Sequence, residues 1–459
     1  MKQGIRDADL PVVLRDAIYV ARKLDLQYIW IDALCIIQDD KTDWEIEASK
    51  MASYYEGAHV TIAAAACEDT TVPFLAVRDP RWNPSKLNLS STETVKVERY
   101  DEYELKEGKN QDFISSRGWI FQETALSMRI IHFRKSGIMW ECRSGITYEP
   151  ETYITSILPC PSAGNFPFPK SICSWFGTST NRLKSWRSII NLYTSRCLSF
   201  PSDKLPAIGG VARVIQRSTG ATYLCGLWRE TLAGDLLWSK RRKIPSEEFS
   251  PPLSKGDWTP TWSWASLTGP VEYLEAGHSQ NSAYPKFQLL ESECVPLGRD
   301  PFGQVKGGFL RLRSNMLVAR LKSTSTDGMP EYNLFPLSPK DSRQSRCKFV
   351  SDTALEEYEC KTAVFPGCKT VRRRPLETWC NPISRIDACV ELLLIAQYDY
   401  SLLPMDPGMD SKHYYLVLGR SEVVHGAHVR LGVVEFMQQK DLLPFQNDSM
   451  IESAVVHII

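Results

Sequence analysis

The sequence predicts an α/β fold with an open, mostly parallel N-terminal sheet, followed by a helical connection and a β-rich C-terminal region. Between Leu10 and Ala66, helical and strand-like apolar patterns alternate, which is typical of βαβ units. Residues 151–185 are rich in Pro, Ser and Gly and indicate a connector. From about Val271, short strand-like stretches alternate with turn signals, which favours a sandwich or barrel.

The length of 459 residues favours several domains, because a single hydrophobic core rarely serves so long a chain. We expect three regions. Residues 1–150 form the α/β domain, residues 151–270 a mainly helical connecting region with Trp-rich motifs, and residues 271–459 a β-rich domain. An irregular insertion is expected at about 323–385. The tryptophans are expected to pack in a core rather than to take part in catalysis.

Charge and cysteine usage restrict the partners and the compartment. Lys plus Arg and Asp plus Glu both number 54, so no basic excess favours nucleic acid or a membrane surface. Apolar runs are too short to span a bilayer. The 13 cysteines contain no Cys-x-x-Cys pair, so we expect no metal site. A cytoplasmic protein with reduced thiols is therefore expected.

The N-terminal elements follow from apolar spacing. A helix is predicted over Leu10–Asp25, where apolar residues recur every three or four positions. Leu26–Ile37 is almost entirely apolar, as in a strand covered on both faces. A second helix is predicted from Thr42, with Glu45 completing a capping box. His59–Ala65 is predicted to be a second buried strand.

Polar residues follow the first predicted strand at Gln38, Asp39 and Asp40. In open parallel sheets, ligands bind beyond the carboxyl ends of the strands, so these residues are candidate binding residues. Gln122 and Glu123 follow Trp119 in a later block and could line the same crevice. They could equally cap a helix or bind a backbone amide.

Asp32 lies inside the apolar run, where an unpaired carboxylate is costly. Arg117 offers a bidentate partner for it. We favour an Asp32–Arg117 clamp over a ligand-binding carboxylate.

Two blocks of the N-terminal region are long and distinctive. The first is Tyr28-Ile-Trp-Ile-Asp-Ala-Leu-Cys-Ile-Ile-Gln-Asp-Asp40, followed by Asp43-Trp44. The second is Arg117-Gly-Trp-Ile-Phe-Gln-Glu-Thr-Ala-Leu-Ser-Met-Arg129, followed by two short predicted strands. Both blocks resemble the heterokaryon-incompatibility (HET) domain family of fungi. Family members usually begin with a further strand, which we expect to be missing here. The resemblance makes Asp32, Trp44, Arg117 and Trp119 structural motif residues.

The resemblance implies a role in self/non-self recognition, with growth arrest or programmed cell death signalled through protein contacts. It implies a protein partner, self-association as an option, and no required cofactor. HET domains have been compared with Toll/interleukin-receptor (TIR) domains, which have a flavodoxin-like sheet. Some of those hydrolyse NAD with a glutamate placed like Glu47. One alternative is therefore an NAD glycohydrolase, with Glu47 and Glu123 as candidate catalytic carboxylates. Another is an inactive truncated member.

Overall fold

A computed structural model gives the structure of the protein and describes residues 4–76, 80, 85–88, 94–97, 113–149, 154–156, 179–241, 259–274, 284–323, 331–337, 347–358, 369–373, 386–398, 412–436, 442–446 and 450–459. The chain forms two compact units. Unit 1 comprises 1–177 and 196–198, and unit 2 comprises 178–195 and 199–459. No described helix is long and apolar enough to span a membrane.

The described part of unit 1 contains four α-helices: α1 (Val12–Lys23), α2 (Asp32–Cys35), α3 (Lys41–Gly57) and α4 (Ile120–Leu126). The predicted helices at Leu10–Asp25 and from Thr42 are confirmed by α1 and α3. The cap of α3 differs from the predicted capping box. The Asp40 side chain accepts hydrogen bonds from the backbone N–H groups of Thr42 and Asp43, which leaves Thr42 inside the helix.

The main sheet of unit 1 has the order β1-β4-β5-β6-β7. Its strands are β1 (Thr61–Ala63), β4 (Arg129–Arg134), β5 (Gly137–Cys142), β6 (Gly145–Tyr148) and β7 (Ile154–Ser156). A separate hairpin comprises β2 (Ser85–Asn88) and β3 (Thr94–Val97). Only β1 and β4 pair in parallel among these described strands, and the others form an antiparallel meander. A mostly parallel, flavodoxin-like sheet is therefore not confirmed.

The predicted strand over Leu26–Ile37 is wrong. Residues 26–31 have no ladder partner, and Asp32–Cys35 turns into the short helix α2. The backbone N–H groups of Leu34 and Cys35 donate to the Ile31 carbonyl at 3.0 and 2.8 Å. Because these groups bond along the chain, they cannot bond sideways to a neighbouring strand.

Unit 2 begins with helices and short hairpins that enclose tryptophans. These elements are α5 (Ser179–Tyr193), α6 (Pro206–Thr219), α7 (Leu232–Asp235), β8 (Tyr223–Leu224), β9 (Leu227–Trp228), β10 (Trp238–Lys240) and β11 (Val271–Tyr273). Five indole side chains are fully buried: Trp186, Trp228, Trp238, Trp262 and Trp264. This confirms that the motif tryptophans pack in a core, hereafter the tryptophan core.

The remainder of unit 2 is β-rich, as predicted. Its strands are β12 (Tyr284–Pro285), β13 (Phe287–Pro296), β14 (Val305–Ser323), β15 (Tyr332–Phe335), β16 (Cys347–Ser351), β17 (Leu355–Tyr358), β18 (Thr370–Arg373), β19 (Asp387–Tyr398), β20 (Lys412–Arg420), β21 (His428–Phe436) and β22 (Met450–Ile458). The pairing β14-β15-β16-β21-β20-β19-β14 closes a barrel. Strands β15 to β18 lie within the stretch expected to be an irregular insertion.

A buried charge cluster joins the barrel to the tryptophan core. Arg430 on β21 is fully buried, and its guanidinium stacks 3.5 Å from the Trp238 ring centroid. It donates to Asp352 Oδ2 at 2.9 Å and to the backbone oxygen of Leu236 at 2.7 Å. Arg373 also pairs with Asp352, at 3.1 Å. Because every charge has a partner, the burial is tolerated.

Candidate functional site

The predicted site residues of unit 1 gather around α3 and α4. Glu47 lies nearly two turns before Tyr54 on α3, so the two side chains share a helix face. The Glu47 carboxylate accepts a hydrogen bond from Tyr54 Oη at 2.6 Å and from Lys50 Nζ at 2.8 Å. These hydrogen bonds, the one from Lys50 foremost, lower the pKa of Glu47. Glu47 is therefore a carboxylate at neutral pH.

Glu123 on α4 is held by Tyr55, the residue that follows Tyr54 on α3. Tyr55 Oη donates to Glu123 Oε2 at 2.7 Å, which joins the two motif blocks. Burial raises the pKa of Glu123 to about 7, and the negative charge of Asp32 adds to the rise. The hydrogen bond from Tyr55 and the positive charges of Arg117 and Arg196 oppose it. Glu123 can therefore exchange a proton near neutral pH.

Aromatic rings connect the two tyrosine–carboxylate pairs. The Trp30 ring lies 5.0 Å from the Tyr54 ring and 6.0 Å from the Tyr55 ring, between centroids. Trp44 on α3 meets Trp119 edge-on at 6.2 Å, at the start of α4. The structure thus brings Glu47, Glu123 and the motif tryptophans together as a packed joint between α3 and α4.

The residues that follow Ile37 have roles within their own turn. The Gln38 amide donates to the backbone oxygens of Asp32 and Ile36, at 3.2 and 3.0 Å. Asp40 caps α3, and Asp39 is exposed. Gln122 is buried on α4. Gln38 and Asp40 therefore have local structural roles, and none of the described hydrogen bonds links Gln38 to Glu47 or Glu123. Ligand binding by Gln38, Asp39, Asp40 and Gln122 stays a prediction.

The described ion pairs do not include an Asp32–Arg117 pair, so the clamp stays a prediction. Asp32 Oδ1 instead accepts from the backbone N–H of Ala33 at 2.7 Å. The backbone beside Arg117 joins a three-residue strap, Arg196–Leu198, which belongs to unit 1. The Gly118 N–H donates to the Cys197 oxygen at 2.7 Å. Both Asp32 and Arg117 still act on Glu123 through their charges.

Sequence reasoning missed Tyr54, Trp30 and Arg196. Tyr54 had a usable signal, since it follows Glu47 by seven residues within a predicted helix. Trp30 lies in the apolar run predicted to be a buried strand. Its ring contacts form because the chain does not continue as a strand there. Arg196 lies in a distant stretch, and its guanidinium stacks 5.0 Å from the Phe121 ring centroid. No local pattern indicated this contact.

A small cavity of about 10 Å³, enough for one water molecule, lies in unit 2, far along the chain from these residues. It is lined by Lys369, Thr370, Cys389, Val390, Glu391, Leu418 and Arg420. Glu391 there pairs with Arg420 and, at 2.6 Å, with His428. The cavity therefore does not contain the predicted site residues.

Comparison with known proteins identifies the N-terminal region. Residues 1–123 match the family described as "Heterokaryon incompatibility protein (HET)". The chain therefore carries a HET domain, which confirms the family that the two motif blocks indicate. No curated protein matches the chain. No solved structure matches it either.

Proposed function

We propose that this chain is a fungal incompatibility protein whose HET domain signals through protein contacts, and that the first of these contacts is with a second copy of the chain. Growth arrest or cell death would follow from that association. The observation that carries the proposal is an exposed apolar segment that begins just before the first motif block and continues into it.

Large apolar side chains along Leu24–Ile37 face solvent. Tyr28 is 89% exposed and Ile37 is 56% exposed. Leu24 and Ile29 are exposed as well. Isolated exposed apolar residues are common, but several within one short segment are typical of an interaction surface. We call this the apolar segment.

The charge balance supports a second copy as the occupant. The formal net charge is zero, so no long-range repulsion keeps two copies apart. The motif carboxylates support contact rather than chemistry, because Glu47 is engaged by Tyr54 and Lys50. A group held by two internal donors is poorly placed to bind a ligand.

Self-association is tested by measuring the mass of the full chain with light scattering across a concentration series. We expect the mass of the wild type to rise with concentration. The mass of the double variant Tyr28→Ser/Ile37→Ser should stay at that of a monomer. Val423→Ser is the matched control, since Val423 is 78% exposed but lies in unit 2. A wild type that is monomeric throughout, or a double variant that associates normally, would contradict the proposal.

NAD cleavage is the second candidate, and the pKa of Glu123 near 7 is the observation that favours it. A group with that pKa can give or take a proton at neutral pH. In this alternative Glu47 would stabilise the positive charge that develops as nicotinamide leaves. NAD consumption by the purified chain that disappears in Glu47→Ala would favour this alternative.

A further inference from the structure

We propose that Cys225 and Cys294 form a reversible dithiol–disulfide switch that fastens strand β13 to the tryptophan core of unit 2. The two sulfurs are bonded, and their Cα atoms lie 6.1 Å apart across 69 residues of sequence. That Cα separation is normal for a disulfide. The pairing departs from the reduced thiols that the sequence predicts, and it is independent of the proposed function of the HET domain.

Cys225 lies in a turn that anchors several side chains. Cys225 and Gly226 connect β8 to β9 with φ angles of +43° and +97°, as in the tight turns of two-residue hairpins. The Cys225 oxygen accepts from Ser263 Oγ at 2.5 Å. The Gly226 oxygen accepts from the indole N–H groups of Trp186 and Trp264, at 2.7 and 2.8 Å. The position of this turn therefore sets how the core tryptophans are held.

Cys294 lies on a strand with one paired edge. β13 pairs with β14 along its length, and none of the other described strands pairs with its opposite edge. β13 also packs against β8, the strand that leads into the Cys225 turn. Cys294 is partly exposed, whereas Cys225 is 1% exposed. Cys294 is therefore the more exposed end of the bond, and we expect a small thiol to attack from that side.

The chemistry is ordinary thiol–disulfide exchange. To form the bond, the two thiols lose two protons and two electrons to a low-molecular-weight disulfide such as glutathione disulfide, which is released as two thiols. In the reverse direction, an external thiolate attacks one sulfur and forms a mixed disulfide, and a second thiol completes the reduction. Reducing surroundings favour the dithiol form, and oxidising surroundings favour the disulfide.

Each state has a distinct structural consequence. The β13–β14 ladder does not depend on the sulfur bond, so reduction leaves the fold in place. Reduction removes a cross-link that closes a long loop, and such cross-links stabilise by restricting the unfolded chain. It also frees the Cys225–Gly226 turn, which carries the bonds from Trp186 and Trp264. We expect lower stability and a changed tryptophan environment in the reduced form.

The test compares thermal unfolding of the full chain with and without dithiothreitol. We expect reduction to lower the melting temperature of the wild type by at least about 5 °C. Cys294→Ser should melt at the lower temperature without reductant and should respond much less to it. Cys35→Ser is the control, because Cys35 is free and exposed, and it should behave like the wild type.

Cys389 is also disulfide-bonded, so the difference between the wild type and Cys294→Ser isolates the proposed bond. Mass spectrometry of the unreduced, thiol-blocked protein should recover a peptide pair that links Cys225 to Cys294. Tryptophan emission should shift on reduction in the wild type and not in Cys294→Ser. Absence of the linked peptide, or equal responses of the wild type and Cys294→Ser to reductant, would overturn the proposal.

Discussion

Glu47 and Glu123 each accept a hydrogen bond from a tyrosine of α3, yet their pKa values move in opposite directions. Lys50 and Tyr54 stabilise the Glu47 carboxylate, which lowers its pKa. Burial dominates at Glu123 and raises its pKa to about 7. Neighbouring positions on one helix therefore hold one carboxylate that stays ionised and one that takes up a proton near neutral pH.

These opposite shifts predict opposite effects of pH on stability. Glu123 is more readily protonated in the folded chain, so its contribution is complete below pH 4.5 and is lost as pH rises to about 7. Glu47 contributes above its usual pKa of 4.5, and this contribution is lost as pH falls through its lowered pKa. Between pH 4.5 and about 7, the free energy of unfolding of the wild type should therefore decline by up to about 1.4 kcal/mol per pH unit because of Glu123. Glu123→Gln should remove this decline.

Denaturant unfolding at a series of pH values measures both effects. Glu47→Gln serves as the matched comparison, because it should change the acid limb below pH 4.5 and leave the limb from pH 4.5 to 7 intact. Identical pH profiles for the wild type and Glu123→Gln would show that Glu123 keeps an ordinary pKa in the folded chain.

The sequence allowed only part of this residue-scale chemistry to be predicted. The Glu47–Tyr54 pair follows from helical spacing within one predicted element. The Tyr55–Glu123 pair joins residues 68 apart in sequence, and the pKa of Glu123 depends on Arg196, which comes from a third stretch. Such groupings depend on tertiary packing, which apolar periodicity does not specify.

At the scale of elements, helices were predicted better than strands. α1 and α3 carry apolar residues at helical spacing, and both form close to the predicted bounds. The apolar run Leu26–Ile37 does not distinguish a buried strand from other apolar structure by periodicity alone. Residues 26–31 remain without a ladder partner, and α2 uses the backbone donors that a strand would have shared.

The cap of α3 gives an element-scale prediction. Asp40 satisfies two backbone N–H groups at the start of the helix, at 2.8 and 3.2 Å. Asp40→Ala should therefore lower the free energy of unfolding by about 1 kcal/mol. Asp39→Ala is the control, because Asp39 is exposed and is not the cap, and it should change stability by less than about 0.5 kcal/mol. Chemical denaturation followed by circular dichroism measures both variants, and equal losses would show that Asp40 does not act as the cap.

At the scale of the whole molecule, the sequence pattern predicted the β-rich half and the packing role of the tryptophans. It did not predict that the barrel closes, because closure depends on β14 pairing with both β15 and β19. Nor did it predict the fully buried Arg430, whose partners Asp352 and Trp238 are far from it in sequence. Long-range ion pairs leave no local pattern.

The proposed activity of the HET domain is a cellular response to protein contact. It is therefore best tested in cells that express the full chain. The apolar segment and Glu47 lie close together along the chain but make different predictions. A contact mechanism requires the exposed side chains of Tyr28 and Ile37, and NAD cleavage requires the Glu47 carboxylate. Variants at the two places therefore separate the two mechanisms.

The most direct measurement is growth of a fungal host that expresses the full chain, Tyr28→Ser/Ile37→Ser or Glu47→Gln at equal protein levels. The contact mechanism predicts that the wild type and Glu47→Gln arrest growth and that the double variant does not. Arrest that persists in the double variant and disappears in Glu47→Gln would contradict it and would favour NAD cleavage.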